Sequence, residues 1–182
     1  MDKRKLIKII LPLCIVLVIM GIWIYKNLDT EKGMDQPISQ DNAELADINE
    51  DFILEATEID LDTLTSYGLP IIIDFGAHSC VPCKEMEPVL ETMNAQMQGR
   101  AIIKFVDVWE NNAAAADFPI QVIPTQVFIN ADGAPYVPSD DLGIEFIMYS
   151  EPDTKTHVFT VHQGGLTEEQ MNIILTDMGV SE

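Results

Sequence analysis

The sequence predicts an α/β domain behind a single membrane anchor, on three observations. The run Pro70-Ile-Ile-Ile-Asp-Phe75 is β-branched and almost continuously apolar, as expected of a strand covered on both faces. Cys80-Val81-Pro82-Cys83 follows at once and opens a segment to about Gln98 in which Met86, Val89, Leu90, Met93 and Met97 recur at helical spacing. Far upstream, Ile9 to Tyr25 carries no charge and is long enough to cross a bilayer as one helix.

The remaining elements alternate in type. Ala56 to Ile59 reads as a short strand, and Leu61 to Tyr67 as a short helix ended by Gly68. After the long helix, which Pro88 should kink, come a strand over Ala101 to Val108 and a short helix around Glu110 to Asp117. Then follow a strand over Thr125 to Ile129, an Asn130-Ala-Asp-Gly133 turn, a strand over Val158 to Val161, and a helix over Thr167 to Met178. Thr167-x-x-Gln170 marks the start of that helix as a capping box. Residues 134–156 form an insertion, within which Glu145 to Ser150 can supply an added strand beside Val158 to Val161.

Residues 1–26 read as a cytoplasmic N-terminus and transmembrane anchor, 27–50 as an acidic flexible linker, and 51–182 as the folded domain. Lys3, Arg4, Lys5 and Lys8 precede the apolar run and Asp29, Glu31 and Asp35 follow it, so the positive-inside bias keeps the N-terminus in the cytoplasm and the domain outside. A cleaved signal peptide fits less well, because the run exceeds a typical h-region and no small-x-small site follows. The bulky Leu13 before Cys14 argues against lipid attachment. Beyond Lys26 the chain holds 5 basic residues against 29 acids, a net of −24, which excludes nucleic-acid or anionic-lipid binding through a basic patch.

Two cysteines at i and i+3 in the first turn of a helix share a face and can close a small disulfide ring with little movement. Cys80, at the helix N-terminus, gains from free N–H groups and the positive dipole end and is assigned as the attacking nucleophile. Cys83, one turn deeper, is the resolving thiol. Zinc is disfavoured because there is no second cysteine pair and His78, His157 and His162 form no ligand pattern. Haem attachment is disfavoured because Lys84, not histidine, follows Cys83. The expected redox group is therefore the Cys80–Cys83 disulfide itself, with no other cofactor.

The run Ile72-Ile-Asp-Phe-Gly-Ala-His-Ser-Cys-Val-Pro-Cys-Lys84, followed by Ile123-Pro124-Thr125, resembles thioredoxins over about Ala56 to Gly179. Asp107-Val-Trp-Glu-Asn111 and Val122-Ile-Pro-Thr-Gln126 resemble membrane-anchored bacterial members associated with electron transporters of the DsbD/CcdA type. The resemblance implies a thioredoxin-like fold, a mixed sheet flanked by helices with the insertion after the cis-proline strand. It also implies roles. Pro124 would be a cis-proline that aims the backbone of Ile123 at an extended substrate. Asp74 would be the buried acid beneath Cys83 that exchanges a proton with it. Pro82 would shape the helix entry, and Val81-Pro82 would tune the potential. Gly76 and Ser79 stand where relatives carry large side chains, which predicts a less aromatic surface around Cys80. His78 reads as a rim histidine and Trp109 as a packing residue.

Val81-Pro82 is similar to the dipeptide of reductants, so the expected activity is reduction of disulfides in exported proteins, recharged by a DsbD/CcdA-type membrane donor, by a monomer. The alternatives are an extracytoplasmic thiol oxidase or isomerase, a reductant for cytochrome c maturation, and a redox-inactive binding module that recognises partners through the insertion.

Overall fold

A computed structural model describes residues 49–140 and 142–181, together with Met20. The chain divides into two units, Met1–Leu45 and Ala46–Glu182. The expected anchor, apart from Met20, and the expected linker up to residue 48 lie outside the described residues. Among the described residues no helix is long and apolar enough to cross a membrane.

The second unit is built on five strands: β1 (Ile71–Gly76), β2 (Ile102–Asp107), β3 (Thr125–Ile129), β4 (Ile147–Ser150) and β5 (His157–Gln163). They lie in the order β2-β1-β3-β5-β4. The sheet is mixed: β1 and β2 run parallel, and the other pairings are antiparallel. Every residue of β1, β2 and β3 is buried, as expected of strands covered on both faces. Three helices cover the sheet: α1 (Leu61–Ser66), α2 (Val81–Gln96) and α3 (Glu168–Asp177).

Because side chains alternate along a strand, the sheet has two cores. On one face Ile72, Ile103, Phe105 and Phe128 pack with Met86, Leu90 and Met93 of α2 and with Met171, Ile174 and Leu175 of α3. On the other, Ile71, Ile73, Phe75, Val106 and Val127 pack with Leu64 of α1 and with Phe118. The helical methionine and leucine spacing thus marks the buried stripe of α2. Val89 is only half-buried.

Two expected elements are shorter than the sequence suggests. The strand over Ala56 to Ile59 reduces to one parallel bridge, Glu55 to Phe105, with Ala56 N–H donating to Phe105 O at 2.9 Å. Asp60 ends it by capping α1, its carboxylate accepting from Thr63 N–H at 3.1 Å and Thr63 Oγ1 at 2.7 Å, which turns the chain off the sheet. The helix around Glu110 to Asp117 is a 3-10 turn over Asn112–Ala115. It lacks an apolar stripe and an N-cap side-chain hydrogen bond, and Pro119 disfavours helical conformation at Phe118 and brings no N–H to continue the run.

The insertion contributes β4, which pairs with β5 through Ile147 and Val161 and through Met148 and Thr160. Its start is held by Asp177 at the end of α3, which accepts from Tyr136 Oη at 2.5 Å, from Ser139 N–H at 3.1 Å and from Ser139 Oγ. Asp177→Ala leaves a buried tyrosine hydroxyl without its acceptor. It should cost about 2 kcal/mol in urea unfolding and speed hydrogen exchange at the Ser139 amide.

Candidate active site

The C-terminal ends of β1 and β2 and the start of β3 lie at one edge of the sheet, where Gly76 pairs with Asp107 and Phe75 with Thr125. The chain leaving β1 turns there into α2. Cys80 is the N-cap of α2 in extended conformation and spends no side-chain hydrogen bond on the cap. Pro82 stands in the first turn, where its missing N–H has no intrahelical partner to lose and its fixed φ suits a helix. The first turn carries no acid, so nothing there opposes a thiolate on Cys80. Cys80 and Cys83 form a disulfide with their Cα atoms 5.3 Å apart. Cys80 is half-buried, Val81 is exposed, and Cys83 is only 1% exposed.

Asp74 projects from the middle of β1 into the core between sheet and α2 and is wholly buried. Oδ1 accepts from Gln126 Nε2 at 2.6 Å, while Oδ2 has no hydrogen-bond partner among the described residues. Burial pushes the carboxyl up to about 7, the hydrogen bond from Gln126 opposing the shift. Gly76 shows where Oδ2 lies: a Cβ there would sit 2.8 Å from Phe105 Cε2, 3.2 Å from Asp74 Oδ2 and 3.3 Å from Cys83 Cβ. The acid and the inner cysteine therefore border one small space that any side chain at residue 76 would fill. This corrects the expectation for Gly76. It is a buried strand residue, and only Ser79 of the two small residues is exposed.

Directly before β3, Pro124 is buried and the Ile123–Pro124 peptide bond is cis. Ile123 is half-buried, and among the described residues neither its N–H nor its C=O makes a hydrogen bond. Val81 at the head of α2 is 69% exposed, and Trp109 and Val122 on the loops at this edge are 63% and 51% exposed, so Trp109 is a surface residue, not a packing one.

His78 turns toward acids. Its Nδ1 lies 3.1 Å from Glu87 Oε1 and its Nε2 3.9 Å from Glu55 Oε2, and the ring rests on Phe105 with centroids 5.1 Å apart. The hydrogen bond with Glu87 holds the imidazole above its ordinary range, with burial opposing and Glu55 assisting. Its backbone N–H donates to Asp107 Oδ2 at 2.9 Å, and Asp107 Oδ1 accepts from Trp109 N–H at 2.9 Å and Glu110 N–H at 3.2 Å. Asp107 thereby ties the loop after β1 to the loop after β2.

Sequence reasoning missed the roles of Gln126, Asp107 and Gly76. Gln126 carries a readable signal, being the one amide in β3, directly before the apolar Val127-Phe-Ile129, as Asp74 is the one acid in β1; such groups enter a core in pairs. Among the described residues no group of three or more His, Cys, Asp or Glu is arranged to hold a metal ion.

A carboxyl raised to about 7 in the fold and ordinarily titrating at 3.8 binds its proton more tightly when folded. Its contribution to stability is complete below about 4 and is lost as pH rises toward 7. Asp74→Asn removes that dependence, so the variant should be more stable than the parent at pH 8 by up to roughly 4 kcal/mol and show little advantage at pH 4. Paired urea titrations of the disulfide forms at the two pH values check the sign.

The thioredoxin family model matches residues 56–140. The thioredoxins of Staphylococcus aureus strains Mu50 and NCTC 8325 are each 39% identical over 83 residues, spanning 46% of this chain and 78% of theirs. Among solved structures, the X-ray structure of Fasciola hepatica thioredoxin is 24% identical with a TM-score of 0.47, covering 68% of this chain and 97% of that one. With its Cys80–Cys83 disulfide at the head of α2 and that level of identity across most of a relative's length, the chain belongs to the thioredoxin family.

Proposed function

We propose that this chain is an extracytoplasmic protein-disulfide reductase, anchored by residues 1–26 and recharged by a dithiol donor of the DsbD/CcdA type in the membrane. The observation that carries the reading is the asymmetry of the cysteine pair. Cys80 is accessible at a helix N-terminus, whereas Cys83 is enclosed and shares the space beside Gly76 with an acid raised to about 7.

In the reduced protein the Cys80 thiolate attacks one sulfur of a substrate disulfide. That bond breaks, a Cys80–substrate disulfide forms, and the first substrate sulfur leaves as a thiolate that takes a proton from solvent. Cys83 then gives its proton to Asp74 and attacks the Cys80 sulfur. The Cys80–Cys83 bond forms, and the second substrate sulfur leaves and is protonated. Two electrons and two protons have passed to the substrate, and the membrane dithiol returns them by the reverse exchanges. The ionised form of Asp74 is the one that accepts, so resolution is favoured as pH rises through about 7.

The substrate suited to this edge is an extended segment. The free backbone groups of Ile123 can pair with it as a strand would, and Val81, Val122 and Trp109 offer apolar contact beside them. Exposed acids elsewhere give no surface for nucleic acid.

Cys83→Ser in the full chain leaves Cys80 able to attack and stalls the next step. Expressed in cells, it should accumulate reductant-sensitive complexes with exported proteins, absent when Cys80 is also replaced by Ser. Direction is read from equilibration with glutathione. A potential near the reducing end of the family range, about −270 mV, is expected, and one near about −120 mV, with exported proteins left reduced in cells lacking the chain, marks an oxidase instead.

A further inference from the structure

Among the described residues Gln126 is the one fully buried side-chain amide, and the chemistry above makes no use of it. It stands directly opposite Asp74 in the antiparallel pairing of β1 and β3. Its Nε2 reaches Asp74 Oδ1 at 2.6 Å, Gly164 O at 3.0 Å and Met86 Sδ at 3.3 Å. The Gly164 carbonyl can only accept, so the amide nitrogen must face it, and the second N–H is then directed at the carboxyl. Gly164 N–H in turn donates to Pro124 O at 2.9 Å, which connects the amide to the backbone behind the substrate loop.

Other charged groups near Asp74 are engaged elsewhere. Lys104 on β2 donates to Glu50 O at 3.0 Å and Ile53 O at 2.8 Å. Asp107 at the end of β2 is held by the three backbone N–H groups described above. On α2, Lys84 and Glu85 are exposed, and Glu87 binds His78. His162 on β5 binds Glu145 O through Nδ1 at 2.8 Å. Among the described residues Gln126 is therefore the only group hydrogen-bonded to the Asp74 side chain, and it touches one oxygen, leaving Oδ2 to the space beside Cys83.

We propose that Gln126 is a positioning residue that holds one oxygen of Asp74 so that the other faces the space beside Cys83, and that eases ionisation of the carboxyl by a hydrogen bond that strengthens with its charge. This rests on the reading that Asp74 takes the proton of Cys83. An apolar residue of similar volume would fill the strand without either effect. Burial alone raises the carboxyl, and the amide limits the rise, keeping the group within the range where it can both accept and return a proton.

The test follows the Asp74 carboxyl carbon by NMR across pH in the full chain, for the parent, Gln126→Leu and Gln126→Met. Loss of a charge-assisted hydrogen bond should raise the midpoint by about one pH unit in both variants. The pH profile for resolution of a mixed disulfide at Cys80 should move by the same amount. A purely structural role would lower stability and leave both midpoints in place, and that result overturns the proposal. If neither variant folds, the parent decides: the Gln126 side-chain amide signal should titrate with the Asp74 midpoint, and an amide signal indifferent to pH overturns the proposal. A parent in which the two groups titrate together but which reduces no disulfide supports the positioning of Asp74 and counts against the reductase reading alone.

Discussion

An acid enclosed by an apolar sheet and an apolar helix, under the inner member of a cysteine pair, is the constraint around which this domain is arranged. Among the described residues Asp74 has no counter-charge and one hydrogen bond, so the fold keeps it at the cost of a carboxyl that ionises only near neutrality. Its neighbours are understandable only in relation to it. Gly76 carries no side chain because Phe105, Cys83 and the acid already converge on the space a Cβ would take. Gln126 is an amide because the acid opposite needs a donor. The apolar stripe of α2 seats the helix so that Cys83 faces inward and Cys80 outward.

The topology brings the remaining parts to the same place. Strands β1 and β2 are parallel and β3 is antiparallel to β1, so two strand ends and one strand start meet at a single sheet edge. The loops there carry the cysteines, the Asp107 tie with its exposed Trp109, and the Ile123–Pro124 segment. The edges of the sheet are treated differently. The segment around Glu55 bridges to β2 and is strapped down by Asn94 and Gln98, whose amides donate to Phe52 O, and by the buried ammonium of Lys104. At the far side the insertion adds β4, and the start of the insertion is tied to α3 through Asp177, which accepts from Tyr136 and Ser139.

What was legible in the sequence is what depends on local pattern. The continuous β-branched run located β1, helical methionine spacing located α2, and the spacing of Cys80 and Cys83 located the redox pair. Thr167-x-x-Gln170 marked the start of α3, where both hydrogen bonds of the capping box are present. What was not legible depends on register and on non-local contact. The partnership of Asp74 and Gln126 requires knowing that β1 and β3 are adjacent and antiparallel, 52 positions apart in sequence. The burial of Gly76 and the exposure of Trp109 depend on how two loops pack at the sheet edge. Ala56 failed to extend a strand because Asp60 had a better use as a cap four residues later.

In the proposed reaction the buried carboxyl of Asp74 takes the proton of Cys83 when the inner cysteine attacks. The most direct measurement is the single-turnover rate at which Cys83 resolves a preformed mixed disulfide on Cys80, followed from pH 5 to 9 in the parent and in Asp74→Asn. If Asp74 takes that proton, the rate in the parent rises through a midpoint near 7, and the variant lacks this step and is slower above it. Superimposable profiles for the two proteins would contradict it.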